Sequence, residues 1–126
     1  MFGSAELYAA YNIPAITALV GTYEEKPGIF HNTLIPQLYP DKAASINFYI
    51  PSNNPIEDVG IYSYLTNARA DTFGESRALA DAIIENVHRV TYGDHIIILN
   101  IGMTLPPKDE TDNFNTLLET TIKLRS

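Results

Sequence analysis

The chain has 126 residues, a formal net charge of −7 and no cysteine. That length carries a single domain, residues 1–126, with a core of its own, and it excludes a two-domain enzyme with a separate cofactor module. A composition that is 45% apolar and 18% charged excludes a disordered chain, the acidic balance disfavours a protein that grips phosphates, and the missing thiols exclude disulfide scaffolds, zinc ribbons and cysteine nucleophiles.

The first twenty residues read as two short helices. Leu7, Tyr8 and Tyr11 follow Ser4 at helical spacing, and Pro14 restarts the chain as the first turn of a second helix that Gly21 closes. Residues 22–44 carry Pro27, Gly28, Pro36 and Pro40, so no long regular element fits there, although Gly28-Ile29-Phe30 suits a short edge strand. Residues 45–50 alternate as a strand with Ile46, Phe48 and Ile50 on one face. Residues 61–70 form a second strand with large residues on both faces, fit for a central place in a sheet or for an interface.

A main helix begins at Asp71 or Thr72. Thr72 and Glu75 have capping-box spacing, and Leu79, Ala82, Ile83, Val87 and Val90 form the core stripe. Residues 95–104, apolar on both faces, predict a buried strand. Residues 114–125 alternate most cleanly, with Leu118, Thr120, Ile122 and Leu124 on one face, and pair most simply with the preceding strand as an antiparallel hairpin. The expected fold is α+β: a small, mainly antiparallel sheet of about four strands, one long helix packed on it, and short N-terminal helices.

Catalytic constellations are not expected. His31, His88 and His95 have no companion ligand at metal-binding spacing. Gly74-Glu75-Ser76-Arg77-Ala78 departs from a nucleophile elbow at its last position, and the capping pattern puts Ser76 inside a helix rather than at a strained turn. Glu24-Glu25 and Asp109-Glu110 lie in loops, where paired carboxylates are solvated rather than held across a cleft. No catalytic residue, cofactor or metal is assigned, and no apolar run or leader pattern points to a membrane. What remains is interaction surface. Eight tyrosines without a tryptophan suit either an interface or the completion of a small core, which composition alone does not separate, and Phe30, Tyr39, Tyr62 and Tyr64 are the candidates for a subunit interface.

Asn12-Ile13-Pro14-Ala15-Ile16-Thr17-Ala18-Leu19-Val20-Gly21 resembles the opening of the small tail-completion proteins of long-tailed bacteriophages, also called tail terminators or tail-to-head joining proteins. Ile29-Phe30, the strand at residues 46–50, and Phe73-Gly74-Glu75-Ser76-Arg77-Ala78-Leu79-Ala80-Asp81-Ala82-Ile83 after a strand continue the similarity, as does the terminal hairpin. Residues 22–44 and 106–113 are longer than the family's equivalents. The resemblance implies a virion protein of the tail or neck that forms a homohexameric ring. Such a ring caps the tail tube, docks to a head-completion or connector protein, and lets DNA pass without specific binding. Lys108, Asp109, Glu110 and Asp112, in a loop without apolar residues, are expected at the lumen or docking face. The alternatives are another neck component, such as a head-closure or connector protein, and a small dimeric ligand-binding or regulatory domain.

Overall fold

The structure is a computed structural model that describes residues 4–31, 39, 43–50, 61–107 and 113–124; the side chains of Ile61 and Tyr62 are not among those described. Helix α1 (Ser4–Tyr11) and the single turn α2 (Pro14–Thr17) open the chain, with Pro14 at the start of α2, where its missing N–H costs no hydrogen bond. Strands β1 (Thr22–Tyr23) and β2 (Lys26–Pro27) make a two-stranded antiparallel sheet. Then come β3 (Ile29–His31), β4 (Ser45–Tyr49), β5 (Ile61–Ala70), helix α3 (Phe73–Val87), β6 (Thr91–Tyr92), β7 (His95–Leu105) and β8 (Phe114–Leu124). These strands form one sheet in the order β3-β4-β5-β8-β7-β6, with β3 parallel to β4 and every other pair antiparallel.

This corrects the expected four-stranded sheet under one long helix. The sheet is six-stranded, mixed and curled into a half-barrel, and α3 has only 15 residues. The short edge strand expected at Gly28-Ile29-Phe30 is β3, one residue further on, whereas β6, two residues long, is too short to show a period of two. The helix is shorter than its apolar stripe suggested because His88 leaves helical geometry and Arg89 takes a left-handed φ of 68°. Val90, assigned to the stripe, instead accepts the Ile97 N–H at 3.0 Å and belongs to the sheet edge.

Helix α3 starts as its sequence dictates: Thr72 is extended and its hydroxyl accepts the Glu75 N–H at 3.1 Å. The helix lies where it does because Leu79, Ala80, Ile83 and Val87 are buried on one stripe against the sheet. Each such large side chain contributes about 1.5–3 kcal/mol on burial against roughly 1 kcal/mol for the cap, so packing rather than capping fixes the helix. From the sheet, Ile46, Phe48, Ala68, Ile97, Leu99, Leu118 and Ile122 complete the core, and α1 adds Leu7, Ala10 and Tyr11.

Candidate functional site

The covered face of the sheet holds two chains of hydroxyl groups within an otherwise apolar core. In the first, the Tyr11 hydroxyl is 2.8 Å from Thr66 Oγ1, which is 2.8 Å from Thr120 Oγ1, and Thr120 donates to the Leu118 carbonyl at 3.3 Å. In the second, Thr104 Oγ1 is 2.9 Å from Thr116 Oγ1, which is 2.7 Å from Ser76 Oγ, and Ser76 donates to the Ala68 carbonyl at 2.8 Å. Each chain ends on a backbone carbonyl, so every hydroxyl proton has an acceptor and the polar groups are buried without an orphaned donor. Burial pushes the Tyr11 phenol up to about 12, opposed by its hydroxyl partners. Ser76 is fully buried and its hydroxyl is committed to structure, in keeping with a helical position rather than a nucleophile's.

The residues expected at an interface part company. Tyr64 is 7% exposed and packs edge-on against Phe48 at 6.1 Å, with His31 at 6.3 Å, so it is part of the chain's own core. His31 itself lies over Phe48 at 5.0 Å, and burial lowers its affinity for a proton. Phe30 and Tyr39 are brought together edge-to-face at 5.4 Å, both half-buried. The Tyr39 hydroxyl donates to the Ala44 carbonyl, and its ring lies so close to Gly28 that a Cβ there would collide with it. Burial pushes the Tyr39 phenol up, against the Gly21 backbone and Arg69, which lower it. Tyr62 occupies a β5 position opposite Ile122. Lys108, Asp109, Glu110 and Asp112 lie outside the described residues.

Strand β7 departs most from expectation. Only Ile97 and Leu99 of its first half are buried, with Ile96 and Ile98 half-buried on the other face, and Ile101 is 36%, Met103 66% and Leu105 38% exposed. The register steps from Ile101 opposite Leu118 to Thr104 opposite Thr116, a bulge of one extra residue at Gly102-Met103. Gly102 accommodates it: a Cβ there would stand 3.1 Å from the Leu117 carbonyl oxygen. The bulge keeps Thr104 on the covered face and leaves Met103 in solvent. An apolar run signals burial only if a second layer or strand reaches it, and sequence does not show where that reach ends.

The outer edge of β7 is also uneven. Its start pairs with β6, Ile97 exchanges bonds with Val90 (3.0 Å) and Arg89 (2.7 Å), and the Leu99 N–H donates to His88 Nδ1 at 3.0 Å. His88, unassigned from sequence, is thus the last seal on this edge. Among the described residues no strand pairs with β7 beyond that point on its outer side.

The opposite face of the sheet carries half-buried Tyr49, Leu65, Leu117, Ile96 and Ile98. A depression of about 380 Å³ lies along β5 and β8, lined by Ser63, Tyr64, Leu65, Glu119, Thr120 and Thr121. Only two neighbouring strands form it, so it would touch a ligand from one side and offers no convergent polar groups. Among the described residues no group of three or more His, Asp or Glu side chains is placed to hold a metal ion, and no helix is long and apolar enough to cross a membrane.

No protein-family model and no curated protein matches the sequence. The fold is similar to that of a chain in the virion of native gene transfer agent (GTA) particle, with a TM-score of 0.62 at 13% identity over 95% of this chain and 92% of the other.

Proposed function

We propose that the chain is a structural virion protein. The observation that supports this is the likeness of fold, along almost the whole of both chains, to a component of a gene transfer agent virion. Its finer place is at the end of the tail, as a tail terminator whose ring caps the tube and joins it to the head. This rests on the resemblance carried by residues 12–21 and 73–83. The chemistry suits the role. A closed ring of identical subunits needs two different patches on each copy, and a net charge of −7 favours a lumen that repels phosphates and keeps DNA mobile. The partners on this reading are further copies of the chain, the tube protein below and a head-completion or connector protein above. The same reading keeps Lys108, Asp109, Glu110 and Asp112 as the residues expected to meet the lumen or the docking partner.

Gold-labelled antibody on isolated particles tests the assignment. Label at the head-proximal end of the tail supports it, and label at the distal tip or on the head shell overturns it. Particles lacking the chain should have tails of uncontrolled length that remain unjoined to heads, whereas a head-closure protein would leave tails of normal length. Deleting residues 108–112 should leave a folded chain that fails in joining; normal infectious tails from that deletion would remove the loop from the proposal.

A further inference from the structure

We infer that the outer half of β7, residues 100–105, is a docking edge for a second copy of this chain, added head-to-tail along the strand. Backbone and side chains both point to it. A strand edge presents unpaired N–H and C=O groups that accept another strand, and proteins ordinarily cover such edges or guard them with charge. Here the first half of the edge is covered by β6, by Arg89 and Val90, and by His88. Past Leu99 no described strand covers it, and exposed Ile101, Met103 and Leu105 occupy the free run. Residues 96–107 contain no charged side chain, so charge does not guard this edge; the bulge at Gly102-Met103 and Pro106-Pro107 bound the run that a partner strand could reach.

The choice of partner follows from charge and from sheet order. Two copies carrying −7 each repel over most of their surfaces, so a contact between them belongs where both are uncharged. The sheet ends on one side at β7 and β6 and on the other at β3, and Ile29-Phe30-His31 lacks an acidic or basic side chain apart from the imidazole. Joining the β7 edge of one copy to the β3 edge of the next continues one sheet through both. It also uses two different patches, the condition for a closed ring. The head-to-tail sense rests on the ring reading above; the open edge itself does not.

The absence of cysteine makes a clean test. Met103, well exposed, is replaced (Met103→Cys), labelled with benzophenone maleimide, and mixed at millimolar concentration with ¹⁵N-labelled natural chain. After irradiation, mixed-isotope peptides report contacts between copies. The expected product links position 103 to the segment carrying Ile29–His31. Its yield should fall about tenfold when Ile101→Lys and Leu105→Lys are added, the loss expected when charge replaces apolar contact. An Ala78→Cys label on the exposed side of α3 should not give that product. Links from β7 to β7, links to any other segment, equal yield from position 78, or no link between copies would overturn the inference. If the link fails while antibody still marks the head-proximal tail end, the docking edge is wrong and the virion role stands. A link formed by a chain absent from tails would mean the reverse.

Discussion

Both halves of β7 carry large apolar side chains, and these meet opposite fates. From His95 to Leu99 the strand is covered by α3 on one face and sealed along its edge by backbone groups and one histidine. From Asn100 to Leu105 the strand carries a bulge, and its large apolar side chains Ile101, Met103 and Leu105 are exposed along an edge that no described strand seals. Isoleucine and leucine are buried at 97 and 99 and exposed at 101 and 105, so apolar side-chain type alone does not decide burial in this strand. What decides it is how far α3 and the β6 turn extend. Material that is core at one end becomes contact surface at the other, at no cost in sheet continuity.

The sharpest way to break the contrast is to truncate each half. Ile97→Ala, at a fully buried position, should lower unfolding stability by about 2–5 kcal/mol in urea titration. The covered half is also tied to α1 through Tyr11, Thr66 and Thr120, the last lying opposite Leu99. The Tyr11 phenol ionises near 10 when unfolded and near 12 when folded. Its contribution is therefore complete below pH 10 and is lost as pH rises toward 12. Alkaline titration of the natural chain against Tyr11→Phe should show a steeper fall for the natural chain in that window, on the order of 2 kcal/mol.

Ser76→Ala probes the second hydroxyl chain, which reaches Thr104 in the open half. It leaves the Ala68 carbonyl without its donor and should cost about 1–3 kcal/mol while Met103 stays exposed. His88→Ala removes the seal at the junction and should cost about 1 kcal/mol. Its diagnostic readout is hydrogen exchange: the Leu99 amide should speed up more than that of Ile97, which keeps its bond to Val90. Met103→Ala should change stability by no more than about 0.5 kcal/mol, and a larger loss would show that the open half is core after all.

Much of the framework was legible. Strand β5 spans the predicted residues, β4 and β8 stop one residue short, and the Thr72 cap is where its spacing put it. These elements are long enough for a period of two or a stripe to appear. The parallel pairing of β3 with β4 was not legible, because it joins a three-residue strand to one that begins fourteen positions later. Tyrosine suits core and interface alike, so residue type does not place Tyr64; its inward alternation with Thr66 and Ala68 is the signal that puts it in the core rather than at the expected interface. Threonines at 66, 116 and 120 read simply as strand formers, and nothing local shows that their hydroxyls meet under the helix. His88 was invisible for the same reason, since its acceptor role depends on a strand eleven residues away.

The hydroxyl chains carry a further consequence for how the sheet finds its alignment. Alternation alone rejects a slip of β8 by one residue, because that would turn Glu119 and Lys123 inward, but it tolerates a slip by two. Inward positions on β8 read Thr116, Leu118, Thr120, Ile122, so a slip by two sets threonine where leucine or isoleucine belongs. Tyr11, Thr66, Ser76 and Thr104 would then face methyl groups, and several buried hydroxyls would lose their partners at once, at roughly 1–3 kcal/mol each. The polar pairs thus act as a proofreading code for strand register, rejecting the one misalignment that the apolar pattern would let through.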